Sequence, residues 1–199
     1  MIWTPTESSG IGRERRWDCD VSRPVFLFVA AIACAGLAAT KHAAASRYTS
    51  IRPHDCTSPA DLSADFAARQ LGVQVCRGVG GWRLLLVASQ ENTWIELQSS
   101  TIAWSGEQAI VYDAPIGMFP TVGASSQVEW RLDEGGVPTA LIVRVSAISR
   151  TDQKTRVARL FVVRLEKDRA CVVGRVATNK DARALADGPV RCPGESAVL

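Results

Sequence analysis

The chain has 199 residues, of which 47% are hydrophobic, with 23 lysines and arginines against 20 aspartates and glutamates. This length is enough for one domain with a real core, and the formal net charge of +3 points to no particular kind of partner. The order of the residues along the chain is more informative than these totals.

The first 45 residues have the pattern of an export signal. Four arginines precede the apolar run at residues 25–39, and three alanines at 43–45 offer a small-residue cleavage site before Ser46. The apolar run is shorter than the ~20 residues that a membrane-spanning helix needs. We therefore expect a cleaved signal peptide in residues 1–45 and an exported chain of residues 46–199 without a transmembrane segment.

Two features of the leader leave alternatives open. The stretch before Val21 is long for a charged leader region, which indicates a possible over-extended translation start. Residues 31–34 form a poor lipoprotein box, because Ala31 stands where a larger aliphatic residue is usual. The predicted location is periplasmic or secreted, and a lipoprotein or a membrane-anchored protein is the alternative.

Cleavage would leave four cysteines: Cys56, Cys76, Cys171 and Cys192. An even number in an exported chain predicts disulfides. Separations of 20 and 21 residues favour the two local pairs, Cys56–Cys76 and Cys171–Cys192, and each would stabilise the fold by about 3 kcal/mol. A zinc site made of four thiolates is the alternative, but the chain lacks the close cysteine pair that such sites use.

The exported chain opens with an extended lead-in at residues 48–56. A helix is then predicted, with Ser58 as its N-cap and Gly72 just beyond its end. Leu62 and Phe66 are four residues apart in this helix, so both are expected to face the core.

Alternating apolar residues next predict short antiparallel strands. They cover residues 73–76, 82–88, 93–97, 101–104, 109–112 and 127–132. In the last of these, Trp130 is expected to point inward, and Glu129 and Arg131 outward. Trp94 shares a strand face with polar residues, so we expect it to be exposed. The apolar loop at 113–126 is expected to plug an open end of the β-structure, or to meet a partner.

Two long strands at residues 139–148 and 157–165 are the centre of the predicted fold. The first places Leu141, Val143 and Val145 on one face, and the polar segment 149–156 then forms a hairpin loop. A last strand at 169–177 and a helix at 179–187 follow. We predict a mainly β protein, a single antiparallel β-sandwich or incomplete barrel with a short helix near each end of the exported chain.

Positive charge is concentrated between residues 144 and 175, which hold nine basic and three acidic residues. An ordinary solvated hairpin is one interpretation of this pattern. The other is a surface that faces an anionic envelope polymer, a lipid headgroup or an acidic protein. The candidate binding residues are Arg144, Arg150, Lys154, Arg156 and Arg164.

Catalytic signals are weak in this sequence. His54 is the single histidine of residues 46–199, which removes most Ser-His-Asp, Cys-His and histidine–metal schemes. We therefore predict no catalytic residue, no metal site and no cofactor. A pair of carboxylates such as Glu129 and Glu96 could still meet across a sheet, so a hydrolase acting on an envelope polymer is the alternative to a non-enzymatic binding module.

Several short motifs are spread over the exported chain: Tyr48-Thr-Ser, Asp55-Cys56, Cys76 followed by Gly80-Gly81-Trp82, Glu129-Trp-Arg131, and Cys171 followed by a short Ala/Leu helix. Together they resemble a group of uncharacterised exported proteobacterial proteins. The resemblance implies export, disulfides and a β-rich fold, and it implies no activity. Nucleic acid is not an expected partner of an exported protein. Inhibition of a cell-wall hydrolase is a further possibility by analogy of architecture.

Overall fold

Two antiparallel β-sheets and two helices make up the structure, which is a computed structural model that describes residues 44–113, 115–123 and 127–193. The described residues belong to one compact unit. The predicted leader up to residue 43, including Cys19 and Cys34, lies outside the described residues, as does the chain from residue 194 onward.

In chain order the strands are β1 (Ala45–Ser50), β2 (Gly72–Cys76), β3 (Arg83–Ala88), β4 (Thr93–Gln98), β5 (Ala103–Ser105), β6 (Met118–Val122), β7 (Gln127–Leu132), β8 (Pro138–Ile148), β9 (Arg156–Leu165) and β10 (Ala170–Val176). The helices are α1 (Ala60–Ala68) and α2 (Asn179–Asp187). The larger sheet runs β1-β7-β8-β9-β10 with β6 also paired to β8, and the smaller sheet runs β2-β3-β4-β5. The predicted mainly β fold, with a short helix near each end, is confirmed.

Strand β8 is the centre of the larger sheet, because its 11 residues are enough to pair with three other strands. Strand β9 pairs with one edge of β8 from Ala140 to Ile148. On the other edge, β7 pairs with the first half of β8 and β6 with the second half. The expected plug or partner loop at 113–126 therefore contains an edge strand instead. Thr93 of β4 fastens that strand to the smaller sheet, since its hydroxyl accepts a hydrogen bond from the Val122 N–H at 2.6 Å.

The main core lies between the two sheets. Its contributions from the larger sheet include Val128, Trp130, Leu141, Val143, Val145, Phe161 and Val163. All of these side chains are buried, including Trp130, Leu141, Val143 and Val145, whose shared inward faces follow from the two-residue period of a strand. In α1, Phe66 is buried and Leu62 packs against the same core.

Trp94 is buried as well, with 1% of its surface exposed, so the expectation of an exposed tryptophan was wrong. Its neighbour Ile95 in β4 is also fully buried. Adjacent strand residues point to opposite faces, so both faces of β4 are covered. Exposure was predicted because the polar Glu96 shares a strand face with Trp94. In the structure the Glu96 carboxylate instead accepts a hydrogen bond from the Trp94 indole N–H at 3.3 Å, so a polar neighbour does not require an exposed tryptophan here.

Two further segments differ from their predicted form. Residues 48–56 are not merely extended, because β1 pairs with β7 as an edge strand of the larger sheet. Residues 109–112 belong to a π-helical turn, Gln108–Tyr112, rather than a strand. The Ile110 side chain of that turn is fully buried. A short apolar run of this kind fits a buried helical turn as well as a strand, and periodicity cannot separate the two.

A second, smaller core lies on the opposite face of the larger sheet, under α2. It joins Ala140, Ile142, Leu160 and Val162 of the sheet to Ala182 and Ala186 of the helix. The helix begins after Thr178, whose hydroxyl caps it by accepting the Asp181 N–H at 3.2 Å, and it ends at Gly188, as its sequence predicts. The larger sheet is therefore covered on both faces, by the smaller sheet and by α2.

The structure contains both local disulfides that the spacings favour. Cys56–Cys76 joins the segment before α1 to β2, and Cys171–Cys192 joins β10 to the segment that follows α2. The second bond closes a loop that contains the whole of α2. Disulfides of this kind are typical of an oxidising, extracytoplasmic compartment.

Peptide mapping of the protein under non-reducing conditions should recover Cys56 joined to Cys76, and Cys171 joined to Cys192. Replacing Cys171 and Cys192 together by serine should lower the free energy of unfolding by about 3 kcal/mol, because the unfolded chain regains the freedom of that loop. A Cys76–Cys171 peptide, or free thiols in protein isolated from an oxidising compartment, would contradict this pairing.

Gly174 of β10 lets α2 approach the sheet closely. A Cβ atom at this position would lie 2.5 Å from Cδ2 of Leu185. We expect Gly174→Val to lower the free energy of unfolding by about 1–3 kcal/mol, as overpacking does. Gly72→Val is the matched control, since its Cβ would have only one neighbour, at 3.9 Å. Urea denaturation of both variants measures the difference, and equal effects would show that Gly174 has no role in packing α2.

Candidate functional site

Four charged side chains connect β7 to α2. Glu129 and Arg131 are two residues apart in the strand, and Arg183 and Asp187 are four residues apart in the helix. Two steps along a strand span about 6.6 Å, and four steps along a helix span about 6.0 Å. The spacing therefore matches, and each strand residue meets a helix residue of opposite charge. We call these four residues the charge ladder.

Both pairs of the charge ladder are bidentate. Arg183 donates from Nε and Nη2 to the two oxygens of Glu129, at 2.8 and 3.1 Å. Arg131 donates from Nε and Nη2 to the two oxygens of Asp187, at 2.9 and 2.7 Å. Arg131 also donates to Glu129 Oε1 at 3.2 Å and to the carbonyl of Ala44 at 2.7 Å. Bidentate pairs of this kind are stronger than hydrogen bonds between neutral groups, and they also fix the relative orientation of the two side chains.

Strand β1 completes the polar contacts of the ladder. The Ser46 hydroxyl donates to Glu129 Oε1 at 2.6 Å and accepts from Arg131 Nη1. The Tyr48 hydroxyl accepts from Arg183 Nη2 at 2.9 Å. Only 9% of the Glu129 side chain and 6% of the Arg131 side chain are exposed. Buried charges are tolerated only with such partners, because burial removes them from water.

These contacts decide the protonation of Glu129. Burial acts to raise the pKa of its carboxyl group, but hydrogen bonds from Arg183 and Ser46, and the charges of Arg183 and Arg131, outweigh burial and lower the pKa. A carboxyl that serves as a general acid near neutral pH needs a raised pKa instead. Glu129 is therefore a structural anion in this arrangement.

The carboxylate pair of Glu129 and Glu96, the alternative that the sequence left open, does not form. Glu129 lies on the α2 side of the larger sheet, within the ladder. Glu96 lies in β4 of the smaller sheet, where its carboxylate accepts hydrogen bonds from Trp94 and, at 3.0 Å, from Ser105. The two carboxylates thus have separate partners in separate sheets.

Glu129 and Arg131 were predicted to face solvent, and this was wrong. Strand alternation correctly puts them on the face opposite Trp130. It cannot show that a helix more than 40 residues later covers that face. One signal was available in the sequence, namely charges of opposite sign at two-residue spacing in β7 and at four-residue spacing in α2.

Arg164 must be removed from the predicted binding surface for the same reason. It is 5% exposed and lies beneath the end of α2. Its Nη2 donates to the carbonyls of Gly188 at 2.8 Å and Leu185 at 3.4 Å, at the C-terminal end of the helix, where carbonyls lack N–H partners from a following turn. Burial lowers the pKa of Arg164. Arg164 therefore helps to dock α2 and is not available to a partner.

The other predicted basic residues behave differently. Arg150, Lys154 and Arg156 are exposed on the β8–β9 hairpin, and Arg159 of β9, which was not among the predicted binding residues, is exposed as well. We call these four residues the hairpin surface. Asp152 lies in the same loop.

Asp152 keeps its negative charge while it shapes the hairpin loop. Its carboxylate accepts from the Thr155 hydroxyl and from the backbone N–H groups of Thr155, at 3.0 Å, and Lys154, at 3.1 Å. These bonds, the Thr155 hydroxyl first, lower the pKa of Asp152 to about 2. The carboxylate is therefore used within the loop, and the basic side chains around it project from a defined turn.

Arg144, the remaining predicted residue, lies apart from the hairpin tip. It is half-buried at a cavity of about 170 Å³ that opens beside α2. Tyr48, Asn179 and Arg183 also line this cavity. The structure thus brings Arg144 together with an arginine of the charge ladder. We call this the α2 cavity.

His54 lies on an exposed 3-10 turn, with Nε2 3.7 Å from Asp55 Oδ1. Among the described residues there is no group of three or more His, Cys, Asp or Glu side chains able to hold a metal ion. No helix in the described part of the chain is long and apolar enough to cross a membrane.

The charge ladder predicts a pH-dependent contribution to stability. Glu129→Gln should lower the free energy of unfolding by about 3 kcal/mol near neutral pH. This value is the lower end of the range for breaking a buried ion pair, and we expect the lower end because 43% of the Arg183 side chain is exposed. The pKa of Glu129 is lowered on folding, so its contribution is complete above the ordinary value of 4.5 and declines as the pH falls through the lowered pKa.

Urea denaturation of wild type and Glu129→Gln across this pH range measures the effect. The difference between the two proteins should be constant above pH 4.5 and shrink below it. Glu134→Gln, in the exposed β7–β8 turn, is the control and should change the free energy of unfolding by less than about 0.5 kcal/mol. A pH-independent difference would contradict the ladder.

Comparisons with known proteins give no further guide to function. No family model matches the chain, no curated protein matches it, and no solved structure matches it. The resemblance to exported proteobacterial proteins therefore stays an expectation. What the chain binds has to follow from the chemistry of its own side chains.

Proposed function

We propose that this chain is an exported cell-envelope protein, periplasmic or secreted, that acts as a non-enzymatic binding module for an anionic component of the envelope. The hairpin surface is the proposed contact. Two disulfides support a location outside the cytoplasm, because such bonds persist in oxidising compartments. The leader sequence supports export independently.

The observation that carries the proposal is the concentration of exposed positive charge on one hairpin. Arg150, Lys154, Arg156 and Arg159 are exposed, and the one acidic residue of the loop, Asp152, is bonded within the turn. Apart from the contact of Arg156 with Thr121 at 3.3 Å, none of these cations bonds to another side chain of the described structure. Their charges are therefore available to attract an anionic surface.

A contribution to stability does not explain why these cations are clustered on the hairpin. Exposed charges contribute little to the free energy of unfolding, whether or not they are paired. Like charges placed close together also repel one another. A cluster of cations on one loop therefore has more value for an encounter with an anionic partner than for the fold.

The test compares the triple variant Arg150→Ser, Lys154→Ser and Arg156→Ser with wild type. Binding is measured by sedimentation with vesicles of phosphatidylglycerol and phosphatidylcholine, at about 0.01 and about 0.15 M salt, because screening separates long-range attraction from other binding. The control removes three exposed cations elsewhere, through Arg77→Ser, Arg83→Ser and Lys167→Ser. Both variants have the same net charge.

We expect wild type to bind the anionic vesicles at low salt and more weakly at moderate salt. The hairpin variant should lose most of this binding at unchanged melting temperature, whereas the control variant should retain it. Equal losses in the two variants would reduce the effect to net charge and overturn the proposal. Binding that is insensitive to salt in all three proteins would overturn it as well.

A further inference from the structure

We infer that the α2 cavity is a site for a single phosphate group, held between Arg144 and Arg183. The inference rests on the proposed function for the source of the ligand, an anionic envelope component, but it concerns a different part of the molecule. The residues of the hairpin surface are exposed, whereas the α2 cavity is a recess lined by residues of β1, β7, β8, β9 and α2.

Arg144 is the first of the two arginines that form the site. It projects from the middle of β8 on the face that α2 covers, between the buried residues Val143 and Val145 of the opposite face. Its guanidinium forms no hydrogen bond, ion pair or ring contact with any other described residue. A guanidinium has five N–H donors and no acceptor, so a half-buried one without partners is suited to an anion.

Arg183 is the second element, and the charge ladder holds it in place. Its Nε and Nη2 are bonded to Glu129 and Tyr48, which leaves Nη1 without a partner in the described structure. The guanidinium is therefore fixed in orientation before a ligand arrives, and an ordered side chain loses less entropy on binding. Glu129 also lines the cavity, but its charge is already shared between Arg183 and Arg131.

The remaining lining residues define the size and chemistry of the ligand. Asn179 and Gln127 add side-chain amides, and the buried Ile142 and Leu160 add an apolar wall. At about 170 Å³ the cavity is smaller than the ~300 Å³ at which sites for drug-sized ligands begin, so it admits a single group rather than a whole molecule. A phosphate has enough oxygens to meet two guanidiniums and an amide at once, whereas a carboxylate has only two.

The experiment titrates the ¹⁵N-labelled protein with inorganic phosphate at constant ionic strength and follows its amide resonances by NMR. We expect saturable shifts that map to the α2 cavity. Arg144→Gln should weaken phosphate binding by about tenfold or more, the effect of removing a charged hydrogen-bond donor. Arg159→Gln is the matched control, because this arginine is exposed on β9 but does not line the cavity, and it should change the affinity by less than about twofold.

A second variant separates binding from folding. Asn179→Asp places a negative charge in the cavity and in the first turn of α2, where acidic residues stabilise a helix. It should therefore weaken phosphate binding while the melting temperature stays the same or rises. Binding that survives both Arg144→Gln and Asn179→Asp would overturn the site, and so would equal losses in Arg144→Gln and Arg159→Gln.

Two further arms identify the ligand. Acetate should bind about tenfold more weakly than phosphate, and acetate binding of equal strength would overturn the assignment to phosphate. A short-chain phosphatidylglycerol below its micelle concentration is compared with inorganic phosphate. Tighter binding of the lipid assigns the site to a headgroup, and tighter binding of the ion assigns it to free phosphate.

The site and the proposed function can fail separately. The hairpin variant Arg150→Ser, Lys154→Ser and Arg156→Ser leaves every residue of the α2 cavity unchanged. It should therefore bind inorganic phosphate like wild type even where it no longer binds vesicles. Absence of saturable phosphate binding in wild type overturns the site alone, whereas vesicle binding unaffected by the hairpin variant overturns the proposed function alone.

Discussion

The docking of α2 against the larger sheet depends on two bidentate ion pairs of opposite polarity: the strand supplies the anion in one pair and the cation in the other. Glu129 and Arg131 of β7 cannot be buried unless Arg183 and Asp187 of α2 meet them, because a buried charge without a partner is strongly destabilising. The residues that α2 buries fully in its apolar contact with the sheet are two alanines, Ala182 and Ala186, and such small side chains specify orientation poorly. Charges of alternating sign admit one register, since a shift by one turn would place like charges together.

The rest of this side of the molecule supports the same arrangement. Arg164 binds the carbonyls at the end of α2, Gly174 leaves space for Leu185, and the Cys171–Cys192 disulfide keeps the helix within a closed loop. None of these features belongs to the core between the two sheets. The helix is thus fastened as a separate layer, and its first turn overhangs the sheet beside Arg144 to form the α2 cavity.

Basic residues of this protein therefore lie in two kinds of surroundings that composition does not distinguish. Arg131 and Arg164 are buried and bonded to α2, where they hold the fold together. Arg150 and Lys154 are exposed on the hairpin, where they add little to stability, and they belong to the surface that we propose for an anionic partner. The basic residues between positions 144 and 175 include the buried Arg164 as well as the exposed Arg150 and Lys154, and only their surroundings separate them.

Local patterns in the sequence were enough to predict the paired central strands, the inward face of β8, the limits of α2 and both disulfides. Each follows from residues close together in the chain, through strand period, helix capping or short cysteine spacing. The burial of Trp94, Glu129, Arg131 and Arg164 could be seen only in the tertiary structure. Periodicity states which residues share a face, but a distant segment decides whether that face is covered. The α2 cavity is likewise a product of packing, because Tyr48, Arg144 and Arg183 meet only when three segments far apart in sequence come together.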